Sequence, residues 1–560
     1  MNVPVSGGLN GHAVKDNWRD NRPDGRTARD PVAGDRMAVY GIDLGTTYSC
    51  VARIDDVGRP TVLRNLEGAD TTPSVVYFES ADSVVVGQSA KDATVLDPEH
   101  VVQLIKRDMG EVVPREFHGR TYTPEEISAR ILRKLVEDAK AAGGDDAHDV
   151  VISVPAYFGL AERDATRKAG EIAGLRVLDV VAEPIAAALD YGALEGDEER
   201  GDRAVLVYDL GGGTFDTTVL TLRGRELTVL CTDGAKELGG SDFDDRVVMH
   251  LVERFRERFP DVDDPLSDPQ SETQLRKDAE EAKKALSFRE RYTVRVMHQG
   301  RVEPVELTRE LIEELTRDLL DRTVDITRRT VELAAERGVS DFDDVLLVGG
   351  ATKMPAVAAA LRAQFGFEPR LHNPDLAVAR GAALYALDRA AYFVSSGELP
   401  AEGAPDVPET GLTHRPYEIS TVASRGYGIQ VIDVDSGREY VTHLVHANDT
   451  LPASVTDDFY TIRDGQRHVR IKVMEQAGAV ESQELEHNTE VARGTLKIPP
   501  GKPAHWPFQC VFTLDTSGLL TVVATERESG EQIEISLQIG GLSQEAVDEA
   551  RVAMSRQRIG

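Results

Sequence analysis

The sequence predicts an α/β domain with mixed sheets, followed by a separate all-β domain and a short closing helix. Three observations carry this. From 37 to about 390, short apolar runs such as 150–154 and 345–348 alternate with long amphipathic stretches, the pattern of buried strands and covering helices. From about 417 the apolar period becomes two, with Val469, Ile471 and Val473 alternating with Arg470 and Lys472. Finally, two distant segments, Gly41-Ile42-Asp43-Leu44-Gly45-Thr46-Thr47 and Tyr208-Asp209-Leu210-Gly211-Gly212-Gly213-Thr214, repeat one design. Each is an apolar strand ending in Asp, then a glycine turn, then a hydroxyl residue.

With 560 residues the chain is too long for one core, and 41% hydrophobic with 29% charged residues is ordinary for a globular protein. A net charge of −32 disfavours wrapping a nucleic-acid backbone. No apolar run approaches a membrane span and no signal peptide is visible. Cys50, Cys231 and Cys510 are widely spaced, which argues against a disulfide framework or a cysteine zinc site and fits a reducing cytoplasm.

Taken in order, residues 1–36 are too poor in large apolar groups to offset ordering entropy and are expected to be a disordered extension. Met37 opens the first strand, and either it is the true start or the preceding tail is dispensable. Residues 37–390 form the α/β domain. Its clearest helix covers about 309–337, with Leu311, Ile312, Leu315 and Leu319 at helical spacing and Gly338 as the stop. Residues 391–416, with Ser395-Ser396-Gly397 and several prolines and acids, read as a flexible acidic linker. Residues 417–540 form the all-β domain, with Asp515-Thr516-Ser517-Gly518 as a hairpin turn and Ile533, Ile535, Leu537 and Ile539 in a late strand. A short helix after Ser543 has acids early and arginines late, the order a helix dipole favours.

The repeated turns suggest chemistry. Glycine lets backbone N–H groups approach phosphate oxygens, and a strand-end Asp can hold Mg²⁺ through its water shell. A single such turn could equally be a plain strand–loop–helix connection; two copies make a facing pair that grips a polyphosphate the stronger reading. There is no Gly-x-x-x-x-Gly-Lys-Ser/Thr loop, so the chain is not a P-loop NTPase. Glu280, Lys283 and Ser287 share one helix face, which suits a nucleoside or a merely solvated surface. Gly349-Gly350-Ala351-Thr352-Lys353 follows a buried strand and could let a base lie against the backbone, or be a simple turn.

Together these segments resemble the ATPase domain of the heat-shock 70-kDa (DnaK-type) chaperone family, within the actin and sugar-kinase superfamily. Further segments match in order, among them Ile105-Lys106-Arg107, Val154-Pro155-Ala156-Tyr157-Phe158, Ala182-Glu183-Pro184, and Leu238-Gly239-Gly240-Ser241-Asp242. The resemblance covers about 37–540 and implies a two-lobed actin-like ATPase domain, then a β-sandwich that binds peptides. It implies that Gly45, Thr46, Thr47, Tyr48, Gly212, Gly213 and Thr214 contact phosphates, and that Asp43 and Asp209 organise the metal and the attacking water. Lys106 matches the catalytic lysine and Glu183 an acid near metal and water. Glu280, Lys283, Ser287, Gly349, Gly350 and Lys353 match adenosine contacts, and Pro155 and Arg163 the switch coupling ATP to the second domain. The implied cofactors are ATP or ADP with Mg²⁺, with K⁺ as a further cation.

In the β domain the resemblance implies a peptide pocket lined by Ile429, Val431, Phe459, Ile462, Val469 and Ile471, although such residues could also fill the sandwich core. The implied activity is ATP hydrolysis controlling the exchange of unfolded, apolar peptides in a cytoplasmic, stress-response chaperone. J-domain co-chaperones and a nucleotide-exchange factor are its implied partners, with no nucleic acid and no membrane. Departures are also visible. Lys353 stands where the family has Arg, Gly159-Leu160 replaces Asn-Asp, Ala182 replaces Asn, the linker near 417–422 is less apolar, and 541–560 reads as a truncated lid. These leave open an ATP-binding regulator without interdomain coupling; a small-molecule kinase of the superfamily is disfavoured by the sequence after 417.

Overall fold

The computed structural model describes residues 39–143, 148–195, 201–397, 417–478, 480–515, 518–535 and 542–560. The expected extension 1–36, Met37, most of the acidic linker, Thr516, Ser517, Leu537 and Ile539 lie outside the described residues.

The first lobe is built on a six-stranded sheet. Strand Val39–Asp43 runs parallel to Asp149–Val154 and antiparallel to Tyr48–Ile54. The run Asp149–Val154 is buried along its whole length, which is why it reads as continuous apolar sequence rather than alternation. The second lobe repeats the scheme. Strand Arg203–Leu210 runs antiparallel to Phe215–Arg223 and parallel to Asp344–Val348. The two strands ending in Asp thus occupy equivalent places in two similar sheets, as the repeated sequence pattern predicts.

Helix Ala377–Ser396 packs across the first strand at very short range. A Cβ at Gly41 would stand 2.0 Å from the backbone nitrogen of Ala383, and one at Gly381 1.7 Å from the carbonyl oxygen of Ala186 on helix Glu183–Glu195. Only glycine fits at either contact. The alanine-rich stripe of the same helix, including Ala379, Ala382 and Ala386, is fully buried.

Two sequence expectations need correction. The helix expected over 309–337 is two helices, Arg309–Leu315 and Arg317–Glu336. The break falls at Thr316, whose φ of −111° and ψ of 9° leave the helix, although its amide and its buried hydroxyl both donate to the Ile312 carbonyl, at 3.0 and 2.8 Å. Gly338 lies just past the second helix with a φ of 89°, as the stop signal required. Ser395 and Ser396, read as linker, finish the helix that Gly397 ends in a left-handed conformation.

The chain resumes with strand Glu418–Val422, which pairs in parallel with Glu226–Thr228 of the second lobe and antiparallel with Thr450–Leu451 of the β domain. The second lobe's sheet therefore continues into the β domain as one seven-stranded sheet. The β domain is a sandwich of two four-stranded antiparallel sheets, whose core includes Tyr427, Ile471, Val473, Phe508, Phe512 and Leu514. The amide of Gly518 donates to the Asp515 carbonyl at 3.0 Å, closing the expected hairpin turn.

Helix Gln544–Met554 forms after Ser543, whose hydroxyl caps it by accepting from the Ala546 amide at 3.2 Å. Read from sequence as a lid remnant, it instead buries Val547, Ala550 and Met554 against Ala129 and Ile172 of the first lobe.

Candidate functional site

A cleft of about 810 Å³ separates the two lobes, and both Asp–glycine turns line it. They are in direct contact. A Cβ at Gly212 would lie 2.1 Å from the Thr47 hydroxyl oxygen, and one at Gly213 2.4 Å from the Thr46 methyl. Glycine is required here because two turns from different lobes share the space of one. The second turn is braced from behind by the Gly240 amide donating to the Gly211 carbonyl at 2.9 Å and the Ser241 amide to the Gly212 carbonyl at 2.8 Å.

Charge collects at the base of the cleft. Lys106 sits in a short 3-10 turn entered through Leu104, which adopts a left-handed conformation with φ 58°. The Lys106 ammonium donates to Glu183 at 2.5 Å, and both residues are buried. Asp43 accepts from the Ser153 hydroxyl at 3.0 Å. Burial, and then the charge of Glu183, raise its carboxyl to about 7. Burial and the same neighbour push Asp209 and Asp216 well above the usual carboxylate range. Asp216 accepts from the Tyr157 amide at 3.1 Å, and its other oxygen is buried without a hydrogen-bond partner.

Three buried carboxylates and the half-buried Asp43 thus surround one buried ammonium. Such an excess is costly unless cations join it. Among the described residues no group of three or more His, Cys, Asp or Glu side chains is placed to cage a metal directly. That geometry suits Mg²⁺, which keeps several waters and binds through one or two carboxylates together with phosphate oxygens. The residues present therefore fit a metal–polyphosphate complex.

The nucleoside end is less simple than the sequence suggested. Glu280, Lys283 and Ser287 do share a face of helix Pro269–Leu286 and its cap, and all line the cleft. Lys283, however, is turned inward, donating to Asp244 at 2.8 Å and to the Gly240 carbonyl at 2.5 Å. Glu280 closes the cleft mouth: Lys91 of the first lobe meets it at 2.6 Å, as does Lys284. Burial alone would raise Glu280, but the two ammoniums outweigh it and hold the carboxyl at about 2. Tyr48 donates to Glu280 at 3.3 Å, with the Lys91 and Lys284 ammoniums 4.9 and 4.8 Å from its ring centre. Gly349 has φ 83° and lies so close to Asp209 that a Cβ would stand 2.5 Å from its carboxylate. Lys353 pairs with Asp375 at the cleft's edge.

Pro155 and Arg163 bracket the segment that meets the β domain. The Phe158 amide donates to the Pro155 carbonyl, and the Arg163 guanidinium donates to the Phe158 carbonyl at 3.0 Å. The same Phe158 carbonyl accepts from Ser424 at 3.1 Å. Arg425 lies between Glu162 at 3.2 Å and Glu475 at 3.6 Å, and Glu475 accepts from the Leu160 amide at 3.1 Å. A Cβ at Gly159 would stand 2.4 Å from that carboxylate, so the glycine departure lies at a close approach of the two domains. Higher on the joint, the Thr232 amide donates to the Asn448 side chain at 2.8 Å.

Of the six expected peptide-pocket positions, Ile429 and Ile471 are 4% and 1% exposed in the sandwich core, and Val431, Phe459 and Val469 are half-buried against it. Ile462 is half-buried.

Sequence reasoning gave no role to Asp216, Lys91, Lys284, Arg107, or the Glu162–Arg425–Glu475 group. Asp216 carried a signal, the one charged side chain within the strand segment 215–222. Arg107 carried none. It donates to the Gly213 carbonyl at 2.8 Å and meets Asp242 at 2.6 Å, tying the lysine-bearing turn to the second Asp–glycine turn.

A family model described as Hsp70 protein matches residues 39–116 and 111–558, nearly the whole chain. The chain belongs to the Hsp70 family, whose members are chaperone ATPases that bind ATP or ADP with Mg²⁺. Among the described residues no helix is long and apolar enough to cross a membrane.

Proposed function

We propose that this Hsp70-family chain hydrolyses ATP to control its grip on extended apolar segments of unfolded proteins. The observation that carries the reading is the Lys106–Glu183 pair, buried among Asp43, Asp209 and Asp216 beneath two touching glycine turns. Backbone N–H groups and hydroxyls of Thr46, Thr47 and Thr214 hold the polyphosphate. Lys106 places its charge where negative charge develops on the transferring phosphoryl group, the largest kind of help a protein gives this reaction. Glu183 holds the Lys106 ammonium in place and, with Asp209, orients a water for in-line attack. A bound Mg²⁺ would neutralise phosphate charge, held through water by Asp43 and Asp209, and K⁺ is admitted as a further cation.

Coupling runs through Pro155, Phe158 and Arg163, because this segment joins the catalytic base of the cleft to Ser424 and Glu475 of the β domain. The joint's several direct bonds favour coupling over an ATP-binding regulator that has lost it. The less apolar linker docks all the same, because its strand is held by main-chain pairing that any side chains permit. We place the protein in the cytoplasm, on its three buried free cysteines, with J-domain co-chaperones and an exchange factor as partners.

Single-turnover ATP hydrolysis by the full chain, with and without an apolar peptide, tests this. The expected result is hydrolysis that peptide accelerates and that Lys106→Ala removes while nucleotide still binds. Hydrolysis indifferent to Lys106 sinks the enzyme reading; hydrolysis dependent on Lys106 but blind to peptide sinks the coupling.

A further inference from the structure

Phe288 is the most exposed of the described phenylalanine, tyrosine and tryptophan side chains, at 79%. Among the described residues it is also the only exposed large apolar side chain that lines the cleft between the lobes. It directly follows Ser287, the cap of helix Pro269–Leu286, and so belongs to the nucleoside end of the cleft. The turn that presents it is firmly built. The Phe288 and Arg289 amides both donate to the Ala285 carbonyl, at 3.1 and 2.9 Å. Arg309, at the start of helix Arg309–Leu315, clamps the same turn: its guanidinium donates to the Leu286 carbonyl at 2.9 Å and to the Arg289 carbonyl at 3.1 Å. These bonds satisfy carbonyls that a helix end leaves open. They fix the backbone on both sides of Phe288 and leave its ring in solvent.

The polar side chains expected at this end are already engaged within the protein. Lys283 donates to Asp244 and to the Gly240 carbonyl, and Glu280 is held by Lys91 and Lys284. The Ser287 hydroxyl donates to the Lys283 carbonyl at 3.2 Å, and Lys353 pairs with Asp375. A base read along its edge by these groups would have to compete with bonds they already make. Its flat face meets no such competition. Lys284 and Lys353 carry ammoniums, which have no plane to lay against a base. Phe288 has one, and an exposed phenyl ring gains free energy when another apolar face covers it.

We propose, on the reading of the cleft as a nucleotide site, that the Phe288 ring is the surface on which the nucleobase stacks. This end of the cleft then grips a base by its face, and the glycine turns hold the polyphosphate at the other. Because the turn is fixed by Ala285 and Arg309 before any ligand arrives, little ordering is left to be done on binding, and most of the stacking gain appears as affinity. Stacking of this kind needs a flat ring on the protein side and no particular hydrogen-bonding group. The chemistry of the phosphates is untouched by it, so Phe288 acts on nucleotide retention and not on the hydrolytic step.

Calorimetric titration of the full chain with ADP and Mg²⁺ tests it through a series at one position. Phe288→Ala is expected to bind ADP about 5- to 150-fold more weakly than the parent, the range for removing an aromatic ring from a base stack. Phe288→Tyr keeps the ring and is expected to bind close to the parent. Phe288→Trp places an indole where the base would lie, and adding ADP is expected to change its fluorescence beyond any change the parent shows. A merely structural ring would not give that signal. Equal ADP affinity in the parent and Phe288→Ala overturns the proposal, as does a Phe288→Tyr chain as weak as Phe288→Ala, or an indole at 288 blind to ADP. A parent chain that binds no ADP fails the nucleotide reading itself, and the stack with it; a parent that binds ADP while Phe288→Ala binds equally well fails the stack alone.

Discussion

The nucleotide cleft and the interdomain joint are both built from buried acids around a base, but their charge balance differs. In the cleft, Asp43, Asp209, Asp216 and Glu183 share one ammonium, that of Lys106. In the joint, Glu162 and Glu475 share Arg425, with Arg163 close by. The cleft's surplus negative charge is a site waiting for cations and the groups they carry, and it lies open to a large cavity. The joint's charges are nearly matched and sealed between domains, which makes a lock rather than a binding site. Charge surplus, not the mere presence of buried carboxylates, separates a place that binds from a place that holds.

The comparison can be broken most severely at the cleft. Removing the cation that pairs with Glu183, by Lys106→Ala, should lower the single-turnover hydrolysis rate by about 10²-fold or more, the usual cost of losing a preorganised charge at a developing anion. Nucleotide affinity, measured by titration, should change far less. At the joint, Gly159→Val should force its side chain into Glu475 and weaken docking by about 1–3 kcal/mol, the range for overpacking a close contact. Faster exchange at the Leu160 amide and loss of peptide-stimulated hydrolysis, with basal hydrolysis retained, are the expected signs. An unchanged Leu160 amide would show the two domains to be less tightly engaged than the contact implies.

A smaller effect comes from pH. Burial, ahead of the opposing pull of Arg425, holds Glu475 above the ordinary carboxylate range in the docked form, and the neighbouring Glu162 adds to the rise. The docked form then binds a proton more readily than the undocked one. Its stabilising contribution is complete below the ordinary value of 4.5 and is lost as pH rises from there through the raised value. Leu160 protection, corrected for intrinsic exchange, should therefore be greater at about pH 5.5 than at about pH 8. Glu475→Gln should flatten the difference. The smallest effect belongs to the cleft's edge. Lys353→Arg should tighten ADP binding by a few-fold, because a planar guanidinium can lie over a base where an ammonium cannot. Isothermal titration with ADP measures it, and equal affinity would show that Lys353 stands clear of the base.

Much of the cleft was legible because its parts are local. Asp43, Gly45, Thr46 and Thr47 are neighbours in the chain, and a strand end followed by a glycine turn keeps them together wherever the strand lands. The period-two pattern after 417 similarly forecast a sandwich, because each strand declares its buried face by alternation alone. The helix over 309–337 was misread because its break at Thr316, where φ is −111° and ψ 9°, carries no glycine or proline to announce it. The expected peptide-pocket positions were hard to read for a related reason: Ile429 and Ile471 have the same spacing whether they line a groove or fill a core.

By itself, the sequence determined the duplicated Asp–glycine turns, the change from α/β to all-β, and the family's ordered motifs. These depend on bonding along the chain and on periodicity, which sequence states directly. Only the tertiary structure decided which charges meet. Lys106 found Glu183, Arg425 found Glu162 and Glu475, and Gln557 found Arg130, each across a long stretch of chain. A charged or polar residue written in sequence is compatible with a solvated face or a buried partner. Packing resolves that choice, because it removes water from a few such groups and leaves them stable only where another distant group supplies the missing charge or hydrogen bond.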